Sequence, residues 1–162
     1  MIDLTIRPTQ PTDISAITRI YAHAVLHGTA TFELEPPSES EMMRRLETLH
    51  AGEYPYVVAD IGGAIVGYAY AAAFRDRPAY RFTVEDSIYI APEWHGRGLG
   101  RALLTRLIAV IGDSAQAASI ALHRACGFRD AGQYEAVGYK FDRWLDTVQM
   151  QRALGEGSRT EP

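Results

Sequence analysis

The chain has 162 residues, with 16 Lys and Arg against 20 Asp and Glu, a formal net charge of −4, and a composition that is 47% hydrophobic and 22% charged. That size and composition fit one globular domain with a real core and exclude an intrinsically disordered chain. The acidic balance disfavours a broad grip on nucleic acid, the single cysteine excludes an internal disulfide, and no apolar run is long enough to span a bilayer. That cysteine, Cys126, ends a helical pattern before Gly127 and reads as a small buried apolar residue rather than a nucleophile. Met1-Ile2-Asp3-Leu4-Thr5 lacks the basic and apolar runs of a signal peptide, so the expected compartment is the cytoplasm.

Leu4 and Ile6 alternate with polar residues and predict a short first strand, stopped by Pro8 and Pro11. Ile14, Ile17, Tyr21, Ala24 and Val25 then recur at helical spacing, with Asp13 as N-cap and Gly28 as the stop. His23 and His27 on that helix have a metal-ligand spacing but no accompanying Glu or third ligand, and read as exposed residues near its end. No metal is expected. Ser38-Glu39-Ser40-Glu41 has capping-box spacing and opens a second helix that shows Met42, Leu46 and Leu49 on one face. Tyr56 to Ala59 and Ala64 to Ala69 flank Gly62-Gly63 and predict a hairpin. Phe82 to Ile90 reads as a strand, a helix starts near Gly100, another runs from about Ala115 to Cys126, and Tyr134 to Met150 supplies two more strands. Hairpin-linked strands followed by strands joined through helices make a mixed α+β or α/β sheet. One domain over 1–154 and a disordered tail over 155–162 are expected.

The most informative stretch is Pro92-Glu93-Trp94-His95-Gly96-Arg97-Gly98-Leu99-Gly100-Arg101-Ala102, which leaves a strand and enters an apolar helix. Alternating glycines let successive backbone N–H groups face one anion, the helix start adds free donors, and Arg97 and Arg101 add charge. This is a phosphate cradle. A dinucleotide fingerprint starting at Gly96 requires glycine where Arg101 stands, and a Walker loop requires Gly-Lys before Ser or Thr where the chain has Gly100-Arg101-Ala102.

Arg97-Gly98-Leu99-Gly100 resembles the acetyl-CoA loop of the GNAT acetyltransferases, and Ala118 to Phe128 resembles a second segment of that superfamily, with His123 where many members have tyrosine. Thr31-Phe32-Glu33, Arg75 to Tyr80, Thr83 to Ile90 and Gly138 to Trp144 narrow the similarity to the phosphinothricin/methionine sulfone acetyltransferase branch, over Ile6 to Gln151. The resemblance implies the acyl-CoA N-acyltransferase fold, a central and mostly antiparallel sheet flanked by helices. It implies an enzyme moving acetyl from acetyl-CoA to a small amine such as phosphinothricin, methionine sulfone or methionine sulfoximine. For the cofactor it implies Ile88, Tyr89 and Ile90, then Gly96, Arg97, Gly98, Leu99, Gly100 and Arg101, with Gln116 (asparagine in the family) at the pantetheine arm and Ser119 at the phosphates. For the acceptor it implies Phe32, Arg75, Arg77, Tyr80, Glu85, Asp86 and Ser87, the arginine forks suiting carboxylate or phosphinate oxygens.

Attack by an amine needs a base, and Glu85 holds the position this branch uses. His123 stays open between an acid toward the CoA thiolate, a substrate-orienting group and a buried structural histidine. A homodimer follows from the resemblance, with Tyr139, Phe141 and Trp144 as apolar residues of the last third. Competing readings are acetylation of a polyamine, an antibiotic or a protein N-terminus, and a non-catalytic acetyl-CoA-binding module. One departure stands out: only Arg101 to Ala109 separates the loop from Val110, whereas a parallel crossover needs about a dozen residues or more. By that measure and by comparison with the family, about eleven residues are absent. The expected explanation is an omitted segment, with one Cα step between Leu107 and Ile111 well beyond the ~3.8 Å of a trans peptide.

Overall fold

The computed structural model describes residues 3–74, 84–104, 111–112 and 117–152. Strand β1 (Leu4–Pro8) runs on through Pro8, because an edge strand tolerates a residue without an N–H. Helix α1 (Ile14–His27) follows a short 3-10 turn over Pro11–Asp13 and ends at Gly28, as its periodicity predicts. Asp13 precedes the helix but makes no side-chain cap. Its carboxylate instead accepts both terminal nitrogens of Arg7 at 2.8 Å and the Gln10 N–H at 2.8 Å, a stronger set of partners than one helix amide.

Helix α2 (Glu39–Ala51) is capped as expected, with the Ser38 hydroxyl accepting the Glu41 N–H at 3.2 Å. The Glu41 carboxylate is held by Arg44 and Arg45, each at 2.8 Å. Strands β2 (Tyr56–Ile61) and β3 (Ala64–Ala73) form the predicted hairpin. Gly62 and Gly63 supply positive φ at its turn, and Asp60 accepts the Gly63 N–H at 2.7 Å. Strand β4 (Val84–Ile90) pairs with β3, giving the antiparallel order β1-β2-β3-β4. Then come α3 (Leu99–Leu104), β5 (Ile111–Gly112), α4 (Ala117–Ala125), β6 (Arg129–Lys140) and β7 (Arg143–Gln151).

Among the described residues the strands form two sheets, the second in the order β5-β7-β6. β6 begins five residues earlier than its alternation suggests. Its register shifts between Asp130 and Gly132 and again between Tyr134 and Gly138, and these irregularities break the period-2 signal. The expected chain break falls on 107–111, of which only Ile111 is described.

The four-stranded sheet has two different faces. One packs Tyr56, Val58, Tyr68 and Tyr89 against Ile14, Ile17 and Tyr21 of α1 and Met42 and Leu46 of α2. The other carries Ala59, Val66, Ala69 and Ala71, whose small size lets Leu99 and Leu103 of α3 close on the sheet. Leu103 is fully buried, and truncating such a leucine to alanine costs about 2–5 kcal/mol. A third cluster sets Phe128, Val148 and Met150 against Ile88 of β4 and Ile120 and Leu122 of α4, so it joins the second sheet to the first. Cys126 packs at the margin of this cluster and is half-buried rather than enclosed.

Candidate active site

Strand β4 carries the site. Its side chains alternate: Val84, Ile88 and Ile90 lie in the cluster under α3, while Tyr89 lies in the cluster under α1. Period 2 therefore puts Glu85 and Ser87 on the tyrosine face and Asp86 on the other. Register agrees, with Ser87 opposite Tyr70 and Glu85 opposite Ala72. Glu85 is half-buried and Asp86 is buried. The Tyr70 phenol has the Ser87 hydroxyl as a hydrogen-bond partner and lies within electrostatic reach of Glu85 and Glu33. Burial, the dominant effect, holds that phenol above its ordinary range, and it holds Tyr68 and Tyr89 up in the same way.

Beyond Ile90 the chain makes a 3-10 turn over Pro92–Trp94, and the His95 Nε2 lies 2.9 Å from the Ile90 carbonyl oxygen. Gly96 and Gly98 both have positive φ, +73° and +80°, and a Cβ built on either meets nothing within 4 Å. Glycine is present there for backbone shape, and the exposed loop faces open space that an anion can fill. Gly100 is different: its Cβ would lie 2.7 Å from the Leu122 side chain, so its bareness lets α3 and α4 approach. Leu99 is buried, Arg101 is exposed, and the Arg97 guanidinium stacks 4.6 Å from the Trp94 ring centre. Among the described residues no strand pairs with the far edge of β4, the strand that carries Ile88 to Ile90. The open loop, the outer edge of β4 and the arginines suit an extended ligand with a pyrophosphate at one end.

His123 is buried in α4. Its Nδ1 lies 2.7 Å from the Ser119 carbonyl oxygen, and its ring meets Phe128 edge-on at 5.3 Å. A carbonyl only accepts, so Nδ1 carries the proton and in the neutral ring Nε2 keeps its lone pair. Burial outweighs the Ser119 carbonyl and pulls the pKa below the ordinary histidine value, which favours that neutral form.

Phe32 is exposed between two anchored neighbours. The Tyr21 hydroxyl donates to Glu33 at 3.0 Å and lies 2.9 Å from the Thr31 hydroxyl, which must then be the donor of that bond. Glu33 is bound by Arg45 at 2.8 Å. Sequence reasoning missed this network, although Glu33 and Arg45 carry the charges that could have suggested it. Arg75, Arg77, Tyr80 and Gln116 lie outside the described residues. His23 and His27 are exposed, their rings 4.6 Å apart.

A strand followed by a glycine-shaped anion loop, with a carboxylate near its start, fits an acyl-CoA-dependent transferase. Residues 19–128 match the Acetyltransferase (GNAT) family, and the chain belongs to that family. It is 49% identical over 170 residues to a phosphinothricin N-acetyltransferase of Alcaligenes faecalis, covering 98% of this chain and 86% of that one. It is 40% identical to an L-methionine sulfoximine/L-methionine sulfone acetyltransferase of Salmonella typhimurium, covering 94% and 96%. Its fold matches a crystal structure of a GNAT superfamily phosphinothricin acetyltransferase from Sinorhizobium meliloti in complex with acetyl-CoA. The TM-score is 0.94 and the identity 52%, with 98% of this chain and 92% of that one covered. The chain is an acetyl-CoA-dependent acyltransferase, and no helix among its described residues is long and apolar enough to cross a membrane.

Proposed function

We propose that this enzyme acetylates the amino group of a small amino-acid-like acceptor such as phosphinothricin, methionine sulfone or methionine sulfoximine. The observation that carries this reading is that β4 bears both halves of the site. Glu85 lies near its start on the face of Tyr70 and Ser87, and Ile88 to Ile90 lead directly into the glycine loop. The named activities of the relatives support the acceptor class.

Bound acetyl-CoA supplies an activated acyl group as a thioester. Gly96, Arg97, Gly98, Leu99, Gly100 and Arg101 would hold its pyrophosphate and Ile88 to Ile90 would line the pantetheine arm with their backbone, while the resemblance gives Gln116 to that arm and Ser119 to the phosphates. Glu85 takes a proton from the acceptor's ammonium, directly or through water, so that the amine's lone pair is free to attack. Backbone N–H groups of β4 would stabilise the negative charge that develops on the acyl oxygen; as the C–N bond forms and the C–S bond breaks, the CoA thiolate leaves and takes up, directly or through water, the second proton that the attacking nitrogen sheds. Phe32 packs on the acceptor, Ser87 borders it, and Arg75, Arg77 and Tyr80 take its acidic end, as the resemblance implies. His123 in its neutral form offers Nε2 as a hydrogen-bond acceptor, so it orients rather than protonates in the resting enzyme. Asp86 lies buried on the opposite face of β4 from Glu85 and Ser87, and its place among the acceptor residues rests on the resemblance alone.

Two copies pair through the last hairpin, whose Tyr139, Phe141 and Trp144 are each at least half exposed. A monomer by light scattering at micromolar concentration contradicts the pairing. Steady-state turnover of acetyl-CoA with these amino acids, against spermidine and a peptide N-terminus, tests the function. Preference for either of the latter overturns it.

A further inference from the structure

The β4 ladder fixes which backbone groups each residue turns outward. The Ala91 N–H donates to the Val66 carbonyl oxygen of β3 at 2.9 Å, and Ile90 stands opposite Gly67. In an antiparallel pair that bond makes Ile90 and Gly67 a pair without hydrogen bonds of their own, so Ile90 turns its N–H and C=O away from β3. Period 2 gives Ile88 the same direction and Tyr89 the opposite one. The N–H and C=O of Ile88 and of Ile90 therefore lie along the outer edge of β4, just before the glycine loop.

The last of these groups is taken by a side chain. His95 Nε2 lies 2.9 Å from the Ile90 carbonyl oxygen, and because a carbonyl only accepts, Nε2 carries the proton and donates. The ring reaches back across the 3-10 turn Pro92–Trp94, which is closed by the Trp94 N–H on the Ala91 carbonyl at 2.9 Å and the His95 N–H on the Pro92 carbonyl at 3.2 Å. His95 is exposed, so water can replace either partner and the fold does not depend on the bond. Its position is what matters. Gly96, the first residue of the loop at positive φ, follows His95 directly, so one side chain both closes the outer edge at Ile90 and ties the start of the loop to it.

We propose that His95 is a positioning residue for acetyl-CoA, which ends strand-like pairing at Ile90 and sets the separation between that edge and the anion loop. A chain extended along β4 can pair with the Ile88 C=O and the Ile90 N–H, but it meets an Ile90 C=O already occupied and must leave the edge there. This rests on the reading that the backbone of Ile88 to Ile90 lines the pantetheine arm and that the loop holds the pyrophosphate. It adds what keeps the two in register. A ligand that spans both parts depends on His95, whereas a ligand that fills the loop alone does not.

The test measures calorimetric Kd values for CoA and for ADP, which carries a pyrophosphate without the arm, in the wild type, His95→Ala, His95→Gln and Gly98→Ala. His95→Ala is expected to raise the Kd for CoA about three- to tenfold, the worth of one hydrogen bond, and to leave the Kd for ADP unchanged. In turnover the same variant raises KM for acetyl-CoA and leaves KM for the amine acceptor as it was. Glutamine carries an amide N–H at the reach of Nε2, so His95→Gln is expected to restore most of the affinity for CoA. An unchanged Kd for CoA in His95→Ala, beside weakened binding in Gly98→Ala, overturns this inference alone. Equal losses for CoA and ADP, or no recovery with glutamine, mean that the imidazole shapes the loop or meets the phosphates itself, and overturn it as well. If Gly98→Ala also binds CoA as the wild type does, the placement of the pyrophosphate falls together with this inference.

Discussion

Lys140, at the tip of the last hairpin, donates its ammonium to the carbonyl oxygen of Thr31 at 3.1 Å, across 109 residues of sequence. The lysine is buried, and loss of hydration pulls its pKa below the usual lysine value. The bond ties the β6–β7 turn to the segment Thr31–Glu33, whose other end is fixed by Tyr21 and Arg45. Phe32 sits between these two anchors.

Lys140→Met keeps the length and apolar body of the side chain and removes the donor. The expected result is a KM for the amine acceptor raised about tenfold, corresponding to a loss of about 1.4 kcal/mol, with the KM for acetyl-CoA unchanged. Equal changes in both constants point to general loosening of the fold instead.

Glu85→Gln is nearly isosteric and is expected to leave the circular dichroism spectrum and melting temperature close to wild type. Loss of a general base costs about 10²–10⁴ in rate, so acetyl transfer near neutral pH falls at least a hundredfold. A base can be bypassed when the amine arrives unprotonated. The deficit should therefore shrink as pH rises toward the amine's own pKa, and a pH-independent deficit argues against the role.

Local chemistry made much of this fold legible. Ser38 caps α2, Gly62 and Gly63 turn the first hairpin, and the alternate glycines announce the anion loop, because each acts on its own neighbours. Long-range partners left no such trace. Asp13 looked like a cap only because nothing in its own stretch reveals that Arg7 and the Gln10 amide would claim it. The Glu33–Arg45 pair and the Lys140–Thr31 bond are likewise products of packing. The second hairpin turns on Phe141 and Asp142, both at positive φ without glycine, so its turn carried no familiar signal. Period 2 along β4 separates Asp86 from Glu85 and Ser87, three residues that the family resemblance groups. The expected break near Leu107 to Ile111 bears on a chain of 162 residues whose alignment with the Alcaligenes relative spans 170, so that relative has residues with no counterpart here.

His123 gives the protein a pH dependence whose sign follows from its burial. Its folded pKa is lowered from about 6.5, so as pH falls through about 6.5 the unfolded chain takes up a proton that the folded chain refuses. Stability is therefore full above that value and declines below it until the folded pKa is reached, by at most about 1.4 kcal/mol per pH unit for one proton. Urea midpoints at pH 7.5 and 5.5 should differ in the wild type, and the difference should shrink in His123→Phe, whose ring can still pack on Phe128. An undiminished difference assigns the acid sensitivity to other groups.

The anion loop can be tested through backbone shape alone. Gly98 and Gly62 both have positive φ, +80° and +59°, and at both a Cβ meets nothing within 4 Å. Alanine at either position is penalised only by its backbone, by about 1–2 kcal/mol, and the two variants should lose similar stability. Their function should differ. Gly62→Ala, at the tip of the first hairpin, is expected to bind acetyl-CoA as the wild type does. Gly98→Ala escapes its strain by rotating the peptide groups proposed to face the pyrophosphate, and its Kd for acetyl-CoA should rise at least tenfold. Gly98→Asn, whose side chain tolerates the left-handed region, should recover part of that affinity, whereas Gly98→Val, which tolerates it least, should lose more than alanine. Calorimetric titration of acetyl-CoA into the four variants reads the series directly. If Gly98→Ala and Gly62→Ala bind it equally well, the loop does not hold the pyrophosphate, whatever its resemblance.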